Sequence, residues 1–244
     1  THYQLLVHSA PECIKATDLN GDSILDLVVA NFGAHNIGVL LGIGNGTFAP
    51  MVTYSTGDDS FPISLVIVDF NDDARLDIAI ANVRPDNIAI LVGYGNGSFA
   101  SAVTYSTGPG SDPRALTAAD FNGDHLVDLA VANSERGNVG ILLGNGDATF
   151  LPVTTVSTGF ESHPSAIAAG LINSDEWLDI GVVDSTSDNM IVIFGQGNGT
   201  FGQPVSFTDE TFSNPSSLVI VKVDEDNFMD IIVTNFGSDN VGIV

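Results

Sequence analysis

The sequence predicts an all-β fold, a closed β-propeller of five four-stranded blades. Three observations lead to this prediction. A 51-residue repeat fills the 244-residue chain. Runs of β-branched residues alternate with turns rich in glycine and asparagine. The two chain ends fall in complementary strands of the repeat, as closure of a ring requires.

The repeat shows no insertion or deletion between its units. An aspartate recurs every 51 residues, at Asp26, Asp77, Asp128, Asp179 and Asp230. A proline keeps the same spacing, at Pro11, Pro62, Pro113, Pro164 and Pro215. A Gly-x-x-(Thr/Ser)-Phe turn recurs at 44–48, 95–99, 146–150 and 197–201. The predicted blades are therefore 9–59, 60–110, 111–161, 162–212, and 213–244 together with 1–8, in one domain spanning 1–244.

Each unit is predicted to contain four short strands. In the second unit these are 63–70, 77–82, 88–92 and 99–105. Their β-branched residues and the glycines between them disfavour helix. Four strands in about 50 residues are typical of a propeller blade. A right-handed β-solenoid is the competing repeat fold, although its rungs are usually shorter.

The ends of the chain predict how the ring closes. Tyr3 aligns with Tyr54 in a fourth strand, and Val244 aligns with Leu40 in a third strand. The last blade is expected to take strands one to three from the C-terminal end and strand four from residues 2–7. Closure of this kind leaves no open sheet edge. The same positions of the chain ends within the repeat would also suit a ring with more blades.

Composition limits the classes of function. The chain carries 30 acidic residues against 6 lysines and arginines, a net charge of −24. So few cations cannot replace phosphate counterions, which excludes a general nucleic-acid binder and argues against anionic membranes. No apolar run is long enough to insert into a membrane. Cys13 is the single cysteine, so no disulfide forms within the chain, and a buried, inert thiol is expected.

The loop between strands one and two carries the predicted metal chemistry. Side-chain oxygens at loop positions 1, 3, 5 and 9, with the backbone carbonyl of position 7, would form an all-oxygen cage suited to Ca²⁺. The first loop supplies Asp18, Asn20, Asp22, Ile24 and Asp26. The second supplies Asp69, Asn71, Asp73, Arg75 and Asp77. The third supplies Asp120, Asn122, Asp124, Leu126 and Asp128. The alternative is a turn of solvated carboxylates.

The last two loops depart from this pattern. Loop four has Leu171 at position 1, which leaves Asn173, Asp175 and Asp179. Loop five has Lys222 at position 1, beside Asp224, Asp226 and Asp230. Three full calcium sites are therefore expected, with a weak or absent fourth site. In loop five the Lys222 ammonium is expected to replace calcium as the counter-charge.

The unit resembles the FG-GAP repeat of integrin-alpha-like β-propellers. The resemblance lies in the Asp-x-Asn-Gly-Asp-x-x-x-Asp loop at 18–26, the stretch at 27–33 and the Gly-Asn-Gly-Thr-Phe turn at 44–48. It implies a propeller with calcium in the strand one–two loops and an extracellular adhesion or recognition role. Family propellers are most often seven-bladed. Loop position 6, commonly glycine in that family, is here occupied by Ser23, Ala74, His125, Glu176 and Asn227, a change expected to strain the turn.

The candidate ligand surface is the face opposite the calcium loops, where the connecting segments vary most between units. Loops on a rigid scaffold are where recognition usually lies. Candidate contacts with a sugar ring or a peptide are Phe61, Phe160, His163 and Phe212. Free drift of surface loops is the competing explanation. Trp177, at position 7 of loop four, is expected to pack against a neighbouring blade.

Two further patterns bear on function. Asn45, Asn96 and Asn198 begin N-glycosylation sequons in equivalent turns, although Asn-Gly is also ordinary hairpin chemistry. No catalytic triad, phosphate loop, redox cysteine pair or histidine metal spacing is found, so the chain is expected not to be an enzyme.

The resulting prediction is an extracellular or cell-surface recognition module that binds calcium and takes a glycan, as a lectin does, or an extracellular protein, as in cell adhesion. A structural repeat block of a larger surface protein and, less favoured, a polysaccharide-acting enzyme are the alternatives.

Overall fold

The computed structural model describes residues 8–208, 213–224 and 228–244. Contacts divide the chain into two compact units. One comprises Thr1–Pro109 with Gly146–Ala148, and the other comprises Gly110–Asn145 with Thr149–Val244. Residues 2–7, the expected closing strand, lie outside the described residues, so the closed ring remains a prediction.

The first unit contains two antiparallel four-stranded sheets, blades one and two, each with its strands in sequence order. Blade one consists of β1 (Pro11–Thr17), β2 (Asp26–Asn31), β3 (Asn36–Leu40) and β4 (Val52–Ser55). Blade two consists of β5 (Pro62–Val68), β6 (Asp77–Asn82), β7 (Asn87–Leu91) and β8 (Val103–Ser106). Four strands in each of these repeats confirm the sequence prediction.

The second unit contains most of blade three and all of the described parts of blades four and five. Blade three consists of β9 (Pro113–Ala119), β10 (Asp128–Asn133), β11 (Asn138–Leu142) and β12 (Thr154–Ser157). Blade four consists of β13 (Pro164–Gly170), β14 (Asp179–Asp184), β15 (Asn189–Ile193) and β16 (Val205–Phe207). Blade five has three strands among the described residues, β17 (Pro215–Val221), β18 (Asp230–Asn235) and β19 (Asn240–Ile243).

The fourth strand of blade two is shorter than predicted. In blade two the strand was expected over 99–105, but Phe99 forms an isolated bridge with Gly93. The turn between them closes on itself through the Tyr94 amide, which donates to the Ser98 carbonyl at 2.9 Å. Regular pairing with β7 resumes only at Val103, which faces Ile90.

The middle strands form the core because both of their faces are covered. Every residue of β6 and β7 is buried, as is every residue of β10 and β14. Strands covered on both faces are apolar throughout rather than alternating, which matches their sequence. In blade two an asparagine pair joins the middle strands, since Asn82 Nδ2 donates to Asn87 Oδ1 at 2.9 Å. The same bond recurs in blades one, three and five.

Neighbouring blades within a unit share one core. In the first unit Ile37 and Val39 of blade one lie in a buried cluster with Leu65 and Ile80 of blade two. In the second unit, blades three and four share a cluster that includes Ile141 and Ile180, and blades four and five share another that includes Met190, Val192, Leu218 and Val233. Cys13, expected to be buried, is only half-buried.

Candidate metal-binding loops and ligand cleft

The first three strand one–two loops fold into the same turn around the aspartate at position 1. In loop one, Asp18 Oδ1 accepts a hydrogen bond from the Gly21 amide at 2.8 Å, and its Oδ2 accepts one from the Ser23 amide at 2.7 Å. Asp69 and Asp120 accept the equivalent position-6 amides in loops two and three, at 2.7 and 2.8 Å. Asp18 has a lowered pKa, chiefly through the Ser23 amide, against a smaller opposing effect of burial.

Positions 3 and 5 fold back onto the same turn. Asn20 Oδ1 accepts the Asp22 amide at 3.0 Å, and Asp22 Oδ1 accepts the Ile24 amide at 2.8 Å. Asn20 Nδ2 also donates to Asp22 Oδ2 at 3.0 Å. The same side-chain bond recurs between Asn122 and Asp124. These bonds gather the polar side chains of positions 1, 3 and 5 on one turn.

Position 6 lies in the left-handed region, which favours glycine. The φ angle is 66° at Ser23, 62° at Ala74 and 67° at His125. A non-glycine residue is strained there because its Cβ approaches the backbone. The strain expected from the sequence is therefore present in all three loops.

The aspartate at position 9 has a second role, which the sequence did not reveal. Asp128 is fully buried. Its Oδ1 accepts the Gly144 amide at 2.7 Å and its Oδ2 accepts the Phe121 amide at 2.8 Å. Asp128 therefore clamps its loop to the segment that follows the third strand. Equivalent pairs of bonds are made by Asp26, Asp77 and Asp179. A carboxylate oxygen retains a second lone pair, so this clamp is compatible with a bound cation.

Burial raises the pKa of three clamp carboxyls. It raises the pKa of Asp128 to about 6, outweighing the two amide bonds, and the nearby Asp124 and Asp120 charges add to the increase. Burial also raises the pKa of Asp77 and Asp179. A divalent cation beside these groups would favour their charged forms.

Loop four keeps the clamp but loses the position-1 carboxylate. Leu171 is 43% exposed and offers no side-chain oxygen. The Asn173 amide instead donates to Asp179 Oδ2 at 3.1 Å, in addition to the Ile172 amide at 3.0 Å. Asn173 and Asp175 retain their mutual bond. In loop five Asp230 Oδ2 still accepts the Val223 amide, whereas residues 225–227 lie outside the described residues and leave the Lys222 prediction open.

The donor set of loops one to three fits a hard cation. Each loop offers an exposed turn bearing two carboxylates and one asparagine amide oxygen, in addition to the inward clamp carboxylate. Oxygen ligands of this kind suit Ca²⁺. Within the described part of the chain, no group of three His, Cys, Asp or Glu side chains is close enough to hold a metal ion. The calcium ligand set therefore remains a prediction.

The side chain at position 7 covers a glycine turn of its own blade. Ile24 lies against Gly44 and Arg75 against Gly95. Trp177 occupies the same place in blade four, so tightly that any side chain at Gly197 would collide with its ring. The Trp177 ring also lies near Gly123 in loop three. The expected packing against a neighbouring blade is thus accompanied by a contact within blade four.

The opposite loops of blade one form a polar cleft of about 520 Å³. It is lined by Ala34, His35, Asn36, Thr53, Ser55, Gly57, Asp58 and Asp59. His35 Nε2 lies 3.7 Å from Asp59 Oδ1. The sequence did not reveal this pair, because His35 and Asp59 lie in different loops. The only sequence signal for their proximity was that both loops are expected on the same face.

Aromatic packing fixes the wall of this cleft. His35 Nδ1 accepts the Phe61 amide at 3.3 Å. The Phe61 ring packs edge-on against His35, with centroids 4.4 Å apart, and against Phe32 at 5.0 Å. The Arg84 guanidinium lies 5.9 Å from the same ring. Phe61, predicted as an exposed platform, is half-buried and serves as support.

The other predicted ligand contacts differ from one another. Phe160 is 91% exposed. The His163 amide donates to Asp184 Oδ2 at 3.0 Å, and its ring contacts the Glu161 carbonyl. Phe212 lies outside the described residues.

No helix in the described part of the chain has the length and apolar character needed to cross a membrane.

Comparison with known proteins identifies the repeat. The FG-GAP-like repeat model matches residues 18–80, 69–131 and 121–182, more than half of the chain. The comparison with curated proteins finds no match.

Solved structures show the fold. Virginiamycin B lyase from Staphylococcus aureus is 18% identical, with a TM-score of 0.70 over 100% of this chain and 69% of the lyase. A putative 6-phosphogluconolactonase from Bacteroides uniformis is 16% identical, with a TM-score of 0.69 over 93% of this chain and 64% of that one. The periplasmic gluconolactonase of Pseudomonas aeruginosa is 18% identical, with a TM-score of 0.60 over 92% and 67%. This chain thus spans about two thirds of their length.

These structures correct the prediction that the chain is not an enzyme. That prediction relied on the absence of familiar catalytic spacing along the sequence. The same propeller fold carries a lyase and lactonases. Residues from separate loops can meet on one face of such a scaffold, as His35 and Asp59 do here. Spacing along the chain is therefore no measure of catalytic potential in this fold.

Proposed function

Because the chain belongs to the FG-GAP-like repeat family, we propose that it is a calcium-binding β-propeller that recognises a carbohydrate at the face opposite its calcium loops. The observation that carries the proposal is the threefold recurrence of one acidic turn. The same amide bonds around Asp18, Asp69 and Asp120 gather two carboxylates and one asparagine oxygen on each turn, a donor set that suits Ca²⁺.

The calcium ions would stabilise the loops. Within each loop, the half-buried carboxylate at position 1 and the exposed carboxylate at position 5 repel each other unless a cation lies between them. Three Ca²⁺ would change the net charge from −24 to −18. The left-handed position-6 residues should weaken binding toward the range of extracellular modules, about 10⁻⁴–10⁻³ M. An affinity in this range would suit the millimolar calcium outside cells, and an extracellular or cell-surface location is part of the proposal.

The blade-one cleft supports a carbohydrate ligand. Thr53 and Ser55 offer hydroxyls, while Asp58 and Asp59 offer exposed carboxylates that accept hydrogen bonds from sugar hydroxyls. The packed Phe61 and His35 rings hold the wall in place, which lowers the entropic cost of binding. An extracellular protein ligand would instead need a larger patch.

A glycan array tests this proposal, with the chain applied once in millimolar calcium and once in EDTA. For bound glycans, Ser55→Ala and Asp59→Asn should each weaken binding. The matched control is Ser106→Ala, at the equivalent position of blade two, where Pro109 and Gly110 replace the two aspartates. Binding unchanged by both cleft variants would exclude the cleft. If the folded chain binds no glycan in either buffer, the carbohydrate proposal is excluded and a protein ligand is favoured.

The His35–Asp59 pair favours glycan cleavage as a second candidate function. A histidine beside a carboxylate can transfer protons when the geometry allows it. Mass spectrometry of the glycans after incubation would detect cleavage, and His35→Ala should abolish it. Unaltered glycans would exclude this candidate without affecting the binding result.

A further inference from the structure

The turn before the fourth strand holds an asparagine side chain in one fixed arrangement in three blades. Asn96 Oδ1 accepts the Ser98 amide at 3.0 Å and the Ser98 hydroxyl at 2.6 Å. Asn198 Oδ1 accepts the Thr200 amide and hydroxyl at 3.0 and 2.6 Å. Asn45 and Thr47 make the same pair of bonds.

This arrangement leaves the amide nitrogen available. Asn45, Asn96 and Asn198 are exposed. Because Oδ1 is bonded to the turn, Nδ2 projects from the other side of the planar amide. Within the described residues, these three Nδ2 atoms donate no hydrogen bond.

We propose that Asn45, Asn96 and Asn198 are acceptors for N-linked oligosaccharide when the chain is exported. Each begins an Asn-Gly-(Thr/Ser) sequence, the acceptor pattern. The donor class is an oligosaccharide linked to a lipid diphosphate. Nδ2 forms a bond to the sugar C1, the bond between C1 and the phosphate oxygen breaks, the lipid diphosphate leaves, and Nδ2 loses a proton. No oxidation or reduction is involved.

A difference between blades suggests what these glycans protect. The strands that follow the three acceptor turns begin with exposed valines, Val52, Val103 and Val205, which are 53%, 56% and 40% exposed. The equivalent turn of blade three has Asp147 in place of the asparagine, and its strand begins with polar Thr154. Apolar residues at the outermost strand of a sheet promote edge-to-edge association. The three acceptor turns therefore precede strands that begin with an exposed valine, and we expect the glycans to shield these valines.

The turn that carries Asn198 also borders the outermost strand of blade three. Asn198, Thr200 and Phe201 line a groove of about 450 Å³ with Thr154 and Val156. The Gly199 amide anchors the turn by donating to the Phe121 carbonyl at 3.2 Å. A glycan on Asn198 would extend from a fixed turn at the rim of this groove.

Secretion of the full chain from eukaryotic cells tests the proposal. Intact mass before and after endoglycosidase treatment should show three glycans. Thr47→Ala, Ser98→Ala and Thr200→Ala should each remove one glycan while retaining the asparagine. Asp147→Asn creates Asn-Ala-Thr at the equivalent position of blade three and should add a fourth glycan.

The shielding role is tested separately. Loss of the glycans should increase association of the chain, measured by light scattering. The variants Val52→Thr and Val103→Thr should reduce that increase.

A secreted, folded chain with no mass shift would overturn the proposal, as would a shift that persists in the triple alanine variant. Unchanged association after deglycosylation would overturn the shielding role. Calcium and glycan-array binding of chain produced without export do not depend on this modification, so failure here is distinguishable from failure of the proposed function.

Discussion

Loops three and four are built on the same repeat but keep different parts of the acidic turn. Both retain the buried clamp, Asp128 in loop three and Asp179 in loop four. Loop three also has Asp120, which accepts the amides of Gly123 and His125. Loop four has the exposed Leu171 at that position.

The difference between these loops separates two roles within the acidic turn, that of position 9 and that of position 1. Position 9 is retained in loop four without the position-1 carboxylate, because it accepts a pair of backbone amides that recurs in blades one to four. Position 1 organises the exposed part of the turn and is dispensable for the fold. Loss of the clamp should therefore affect folding strongly, whereas loss of position 1 should affect chiefly cation binding, because the amides that Asp120 accepts are exposed to water.

The largest effect is expected for Asp128→Ala. The substitution leaves the Phe121 and Gly144 amides buried without an acceptor. At about 1–3 kcal/mol for each of the two unsatisfied groups, the free energy of unfolding should fall by about 2–6 kcal/mol. Urea denaturation in EDTA measures it. The exposed Asp124→Ala is the control, with an expected change of about 0.5 kcal/mol or less. Equal effects of the two variants would refute the separation.

Exchange of position 1 between the two loops should exchange their calcium affinity. Leu171→Asp is expected to add one bound Ca²⁺ and Asp120→Leu to remove one, measured by calorimetric titration. At a calcium concentration of about 100 times Kd, the gained site should stabilise the fold by about 2.7 kcal/mol. If neither variant alters the stoichiometry, position 1 does not determine cation binding.

Without calcium, the clamp should make stability depend on pH. The pKa of Asp128 is raised from 3.8 to about 6 by burial, so the folded chain binds the proton more tightly than the unfolded chain. Stability in EDTA should therefore increase as pH falls from 7 through 6 toward 4. Asp128→Asn should flatten this increase in thermal unfolding curves. A wild-type stability that decreases over the same range would contradict the assignment.

The smallest effect is expected in loop five. Lys222→Asp restores the position-1 carboxylate and should add one weakly bound Ca²⁺. Because Lys222 is exposed, the substitution should change stability in EDTA by no more than about 0.5 kcal/mol. An unchanged stoichiometry would show that the lysine is not what excludes calcium there.

Sequence alone predicted the blades and the acidic loops because both follow a strict 51-residue spacing. It placed the strands of blade two within a few residues. It predicted Asp128 as a calcium ligand but did not reveal that Asp128 also accepts two buried amides, since spacing does not distinguish an inward carboxylate from an outward one. It also missed the His35–Asp59 pair, which depends on two loops meeting.

Equivalent apolar residues of blades four and five differ in burial, although their local sequences are similar. Met190 and Val192 in blade four are 0% and 1% exposed, because blade five packs against them. Their counterparts Val241 and Ile243 in blade five are equally apolar, yet 60% and 62% exposed. The repeat therefore determined which residues form strands and which face is apolar. Only the tertiary structure decided which of these faces is buried and which carboxylates turn inward, because burial requires a neighbouring surface that no single repeat contains.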